Sequence, residues 1–199
     1  MKLTYPRFPA LLLAVTLFFS ACKEEKPLPI MGNEPIADFT FLNQDSVAIT
    51  NDTFKNKIYI ADFFFTSCTS ICPIMHRNMK EIYTEYKDNP DVMFLSHTID
   101  YKYDTPSQLK KYAQKLGVDG AKWQFAYGTK ESVYGIAEKS YLSAVIEDSK
   151  EKENYVHQGY FLLIDKNRRM RGAYDGTKTE QVALLKKDLV TLLAEEAKK

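Results

Sequence analysis

Eight consecutive residues from Ile58 to Phe65 are apolar or aromatic except for Asp62, and the run breaks at Thr66-Ser67-Cys68-Thr69-Ser70-Ile71-Cys72-Pro73. A β-rich run closed by small polar residues reads as a buried strand and its turn, and a proline there suits the first turn of a helix. The order is therefore strand, loop, helix N-terminus, with two thiols at the junction. Unpaired N–H groups and the helix dipole stabilise thiolate at such a place. Structural cysteines are expected on separate elements, closing a long loop. These two are local and sit at a strand's carboxyl end, which points to chemistry.

With 199 residues, 45% hydrophobic and 13% aromatic, the chain has material for one good core, so one domain plus tails is expected. A formal net charge of +1 shows no basic excess and argues against a nucleic-acid partner. No repeat or low-complexity tract is visible, and no second long apolar run suggests a polytopic membrane protein.

The N-terminus reads as a targeting segment. Lys2 and Arg7 precede an apolar stretch, Ala10 to Phe19, too short to span a bilayer comfortably. It ends at Phe19-Ser20-Ala21-Cys22, which resembles the lipobox of bacterial lipoproteins, with Phe where Leu is usual. The resemblance implies cleavage before Cys22 and its lipidation; the plainer alternative is an ordinary signal peptide with an incidental cysteine. Residues 1–21 would be the signal peptide and 22–35, charged and proline-bearing, a flexible membrane tether. The folded domain would be 36–199. Of three cysteines, one lipidated leaves the pair Cys68 and Cys72, in an oxidising compartment where free thiols must be kept reduced or metal-bound.

Along that domain, Phe39 to Leu42 and Val47 to Thr50 flank Asn43-Gln44-Asp45-Ser46 as a β-hairpin. Pro73 to Tyr86 is helical, with Met75, Met79, Ile82 and Tyr83 on its apolar side, and Val92 to His97 is a strand. Thr105-Pro106-Ser107-Gln108 has the spacing of a capping box and opens a helix that Gly117 ends. A short helix over 130–137, a charged loop over 147–154, strands at 160–164 and 171–174, and a terminal helix over 179–197 complete the pattern. This is an α/β domain: a central mixed sheet flanked by helices, with an N-terminal β-hairpin.

If Cys68 and Cys72 were both helical, their side chains would lie about 40° apart and one turn along. A disulfide needs sulfurs about 2 Å apart, whereas a metal with thiolate bonds of about 2.3 Å holds them about 4 Å apart. Three intervening residues favour a metal clamp and leave a Cys68–Cys72 disulfide open. A third ligand must come from three histidines. His157, at the entrance to a core strand, is the best candidate. His76 is the rival, but reads as a partly exposed helix residue, and His97 as a packing residue. Met75 and Met79 carry soft thioethers, yet their helical spacing makes them core side chains first. Two thiolates and an imidazole suit Cu(I) better than zinc, and the thiol count excludes an iron–sulfur cluster.

Phe65-Thr66-Ser67-Cys68-Thr69-Ser70-Ile71-Cys72-Pro73, Ile99-Asp100 with Asp104-Thr105-Pro106, Trp123 before Gly128, and Tyr155-Val156-His157 before Leu163-Ile164-Asp165 together resemble the Sco/SenC family, over roughly residues 34–195. The resemblance implies a thioredoxin-like (peroxiredoxin-like) fold and one copper, Cu(I) or Cu(II), held by Cys68, Cys72 and His157. It also implies a part in building the binuclear copper site of cytochrome c oxidase. Thr69 stands where the family usually has proline, and Gln158 where it has serine; neither is a ligand.

The expected function is that of a metallochaperone, a thiol reductase, or both, rather than of a classical enzyme. Its partners would be the copper-site subunit of the oxidase or another cupredoxin-like client, and a thiol reductant protein. It would be lipid-anchored in the bacterial cell envelope, with the domain facing the periplasm or the outer side of the cytoplasmic membrane. The alternative is a metal-independent thiol–disulfide oxidoreductase or peroxidase using Cys68 and Cys72. Against it, thioredoxin-like oxidoreductases place a cis-proline before the strand facing the thiols, and this chain has no proline after Pro106. Asp62 is an odd charge for a core strand and reads as a buried carboxylate near the site. Asp100 and Asp104 read as loop and helix-cap residues, with an acidic docking surface as the functional alternative.

Overall fold

The computed structural model describes residues 26–141, 146–147, 155–156 and 159–198. Cys22 and His157 lie outside the described residues. The chain opens with a hairpin, β1 (Thr40–Leu42) and β2 (Ala48–Thr50), followed by a 3-10 turn (Asn51–Phe54). Then come β3 (Ile58–Phe64), α1 (Cys72–Tyr86), β4 (Val92–Thr98), α2 (Pro106–Leu116), β5 (Trp123–Ala126) and α3 (Lys130–Ser140). A short pair, β6 (Ile146–Glu147) and β7 (Tyr155–Val156), precedes β8 (Tyr160–Ile164), β9 (Met170–Asp175) and α4 (Thr179–Glu196).

The main sheet has the order β5-β4-β3-β8-β9. β3, β4 and β5 run parallel, while β8 is antiparallel to both β3 and β9. All seven positions of β3 and of β4 are buried, because layers cover both faces of the sheet. Alternation along β3 sorts those layers. Phe64 turns to the rings of His76 and Tyr112 on α1 and α2. Tyr59 and Phe63 turn the other way, to Phe54 and to Tyr141 at the end of α3. α4 lies along β9 and is joined to α1 by Lys186 and Glu85, 2.5 Å apart. The central mixed sheet, its helical layers and the antiparallel hairpin at its start make the fold thioredoxin-like.

Local signals set the boundaries. Thr105 Oγ1 accepts from Gln108 N at 3.4 Å, with Pro106 in the first turn of α2. Gly117 ends that helix at φ +66°, where a side chain would cost about 1 kcal/mol. The strand β5, Trp123–Ala126, has no counterpart in the sequence pattern, since four residues are too few to show a period.

The N-terminal boundary differs from expectation. Leu28 N donates to Glu195 Oε1 at 2.6 Å, Met31 N to Met170 O at 2.7 Å, and Ile36 N to Arg168 O at 2.8 Å. Arg171, buried, donates from Nη2 to Leu28 O at 2.6 Å and from Nε to Pro29 O at 3.2 Å. The same guanidinium pairs with Asp165 at 3.2 Å and Glu195 at 2.7 Å. The folded unit therefore starts near Leu28, not Ile36, and residues 28–35 are docked rather than flexible. Backbone carbonyls satisfying a buried cation do the holding. Among the described residues no helix is long and apolar enough to cross a membrane.

Candidate functional site

β3 ends at Phe64, and the chain turns through residues 65–71 into α1, whose first residue is Cys72. Cys68 N donates to Phe65 O at 3.2 Å, which tightens the turn. Ile71, at the N-cap position, makes no side-chain cap. The sulfur of Cys68 takes a cap's place: Cys72 N–H donates to Cys68 Sγ at 3.4 Å. A helix N-terminus aimed at a sulfur favours its anionic form. Cys68 Sγ also lies 3.6 Å from Ser70 Oγ.

Cys68 and Cys72 are both free thiols in this structure. Cys68 is 7% exposed and Cys72 1%. The Cys72 thiol is pushed well above the ordinary range, first by its hydrogen bond with Cys68 and then by burial. The two sulfurs thus share one buried corner, with Cys68 the more accessible.

His76 is 1% exposed rather than partly exposed, and both of its nitrogens are engaged. Nε2 lies 2.9 Å from Asp62 Oδ2, and Nδ1 lies 2.8 Å from Tyr112 Oη. An imidazole spent on both sides is no metal ligand here. Asp62 is the buried carboxylate the strand pattern suggested: its Oδ1 accepts from Ser96 Oγ at 2.5 Å, and Ser96 Oγ accepts from Trp123 Nε1 at 2.9 Å. Ser96, Tyr112 and Trp123 were not legible as members of this network. The one signal was Asp62 itself, a charge that must find partners in an apolar strand.

His97 is buried on the opposite face of the sheet, stacked on Phe63 at 5.1 Å and ringed by Phe39, Phe41 and Tyr141. Neither ring nitrogen has a hydrogen-bond partner, and burial lowers its pKa to about 4. It is a packing residue, as expected. Met75 and Met79 are fully buried core side chains.

Asp100 and Asp104 are 3% and 1% exposed, which overturns the acidic docking surface. Asp104 instead ties the thiol loop to the sheet. Its Oδ2 accepts from Thr66 N at 2.9 Å and from Thr98 Oγ1 at 2.6 Å, and its Oδ1 accepts from Thr66 Oγ1. Burial raises the Asp104 pKa, and these donors oppose the rise.

Among the described residues, no group of three His, Cys, Asp or Glu side chains is arranged to hold a metal. The chain returns to the start of α1 at Gly159. A Cβ there would stand 3.2 Å from both Ile71 Cδ1 and Met75 Sδ, so the backbone at Gly159 packs tightly against the start of α1. Gly176 N donates to Gly159 O at 2.7 Å, and Asn78 Nδ2 to Gly176 O at 2.7 Å, stitching β8 and β9 to α1.

A thioredoxin-like domain with a paired dithiol at the strand–helix junction defines the class. The sequence profile of the SCO1/SenC family matches residues 30–192, and the chain belongs to that family. The SCO1 protein homolog of Bacillus subtilis (strain 168) is 31% identical over 166 residues, covering 82% of this chain and 85% of that protein. A SCO1/SenC family lipoprotein from Bacillus anthracis str. Ames superposes with a TM-score of 0.73 at 29% identity, covering 81% of this chain and 96% of that one. BsSco, a member of the Sco family of cytochrome c oxidase assembly proteins with a disulfide switch, superposes with a TM-score of 0.71 at 28% identity over 83% and 98%. ScoI of Arabidopsis thaliana, solved with copper bound, has a TM-score of 0.68 at 22% identity over 81% and 99%, a likeness of fold.

Proposed function

We propose that this is a membrane-anchored, copper-binding protein that acts in assembling the binuclear copper site of cytochrome c oxidase, by delivering copper, reducing the client's cysteines, or both. Cys68 and Cys72 supply two soft sulfur donors and His157 the imidazole, a set suited to copper. The observation that carries this reading is the approach of Gly159 to Ile71 and Met75. Gly159 follows His157 by two positions in the sequence and packs at the start of α1, the helix that Cys72 opens, which supports this reading. The Cys72–Cys68 hydrogen bond and the burial of both sulfurs keep the pair together and largely out of water. Relatives that are lipoproteins or hold copper support the same reading.

Anaerobic copper titration of the reduced protein against a competing chelator tests it. One copper per chain is expected, with most of the affinity lost in Cys68→Ser, Cys72→Ser or His157→Ala. The second reading, a metal-independent thiol–disulfide oxidoreductase, is favoured by the free, hydrogen-bonded dithiol. Unchanged copper binding in His157→Ala together with a shifted dithiol potential would select it. Anchoring through a lipidated Cys22, with the domain outside the cytoplasmic membrane, is tested by fractionation of Cys22→Ser. A variant still processed at residue 22 and still membrane-bound would reject the lipoprotein.

A further inference from the structure

α1 and α2 lie side by side on one face of the sheet, joined by the His76–Tyr112 hydrogen bond of 2.8 Å. Lys80 Nζ lies only 3.6 Å from where a Cβ of Gly117 would stand, so the two helices remain close beyond that bond. Their outer flank carries Arg77 and Lys80 from α1 and Lys111 and Lys115 from α2, all exposed. None of the four is paired with a carboxylate among the described residues. Exposed Lys102 extends the row toward the thiol loop, to which Asp104 ties its own loop.

Glu81 apart, which is exposed next to Lys80 on α1, the exposed charge of this flank is positive. Residues 66–80 contain no carboxylate, and residues 98–118 contain only Asp100 and Asp104, both buried. Arg77 is five positions along α1 from Cys72, a rise of about 7.5 Å, within one Debye length at physiological ionic strength. The first carboxylate of α1, Glu81, is about 13 Å along the helix from Cys72. Beside the flank stand an exposed ring, Tyr103 at 72%, and Ile74 at 37%. Tyr103 and Arg77 are residue types enriched at protein-binding surfaces, and the lysines around them supply positive potential for steering an acidic partner.

The same cations could meet anionic lipid, but the thiols and the docked N-terminal segment lie at opposite ends of the sheet. Arg171 clamps the incoming N-terminal segment beside the Ile164–Met170 pairing, and Ile164 is level with Tyr59 at the start of β3. The thiols follow the other end of that strand, about 20 Å away at 3.3 Å per residue. The described N-terminal segment is therefore clamped at the end of the sheet opposite the thiol loop. We propose that the α1–α2 flank is the docking surface for an acidic protein domain that presents its own cysteines to Cys68. This rests on the reading that the dithiol serves a protein client, and it adds that client's charge.

The test uses the reduced full chain in detergent and two disulfide-linked probe peptides of equal length, with the cysteines flanked by four Asp or by four Lys. Cys68 thiolate attacks one probe sulfur and releases the other half as a thiol. Cys72 then resolves the mixed disulfide, so two electrons pass from the dithiol to two probe thiols. At low ionic strength the Asp probe should react at least about tenfold faster than the Lys probe, the two converging in high salt. Mixed disulfide is assigned to Cys68 by peptide mapping. The triple variant Arg77→Glu, Lys111→Glu, Lys115→Glu should reverse the preference, and the Gln triple should abolish it while melting as the native protein does. Equal rates for the two probes in the native protein, or a preference unchanged in both variants, would overturn the proposal. So would loss of binding to phosphatidylglycerol vesicles in the variants with the peptide preference intact, which would give the flank to lipid. Copper titration of the Gln triple keeps the two readings apart: loss of copper from native protein and variant alike rejects the copper site, while the exchange rates still decide the docking surface.

Discussion

His76 Nε2 lies 2.9 Å from Asp62 Oδ2 in the middle of the contact between α1 and β3, with neither residue more than 1% exposed. Breaking such a pair from one side leaves a buried carboxylate without its main partner. His76→Ala is therefore expected to cost about 3 kcal/mol in urea denaturation, while copper stoichiometry stays at one. A loss of copper equal to that of His157→Ala would show that His76 is a ligand after all.

His97 makes the protein acid-sensitive. Its folded pKa, about 4, lies below the unfolded value of 6.5, so the unfolded chain takes up the proton first. The stability of the neutral state is complete above pH 6.5 and is lost as pH falls from there to about 4. By pH 5 this amounts to roughly 2 kcal/mol. His97→Phe keeps the ring contacts and removes two unpartnered nitrogens, so the gap between variant and native denaturation midpoints should widen from pH 7 to pH 5. Parallel pH profiles would refute the assignment.

Asp104→Ala strips the acceptors from Thr66 and Thr98. A cost of about 2 kcal/mol is expected, with faster amide exchange at Thr66 and Cys68 than at the far ends of β3 and β4. Exchange that rises evenly over the sheet would mean that Asp104 does not hold the thiol loop in particular.

Arg171→Ala leaves Asp165 and Glu195 without their shared cation and releases two backbone carbonyls. Limited proteolysis should then cut within residues 28–36, which the native protein protects, and stability should fall by about 3 kcal/mol. Arg171→Lys should protect poorly, since one ammonium cannot reproduce the guanidinium fork. Native-like protection in the Ala variant would show the segment to be held by other contacts.

The sequence disclosed those parts of the fold in which a side chain carries the signal. The Ile58–Phe65 run, Pro73, the Thr105 cap and Gly117 each have a local physical consequence, and the strand, the helices and the thiol junction followed from them. Asp62 announced a buried network but not its members, because a lone charge says that a partner exists without saying where. His76 sits on the same helical stripe as Met75 and Met79, so its burial was readable; its polarity suggested exposure instead. The docking of residues 28–36 was hidden, since it runs through backbone groups that leave no pattern in the sequence. Asp100 and Asp104 look like surface turn residues until tertiary contacts fold their loop onto Thr66.

The Arg171 clamp also has a mechanical side. Tension on the chain ahead of Leu28 meets the guanidinium and the Met31–Met170 pairing first, at the edge strand β9. Two strands, β8 and β3, then stand between that load and the thiol loop. The domain can be tugged by its N-terminus while the spacing of Cys68 and Cys72 stays unstrained.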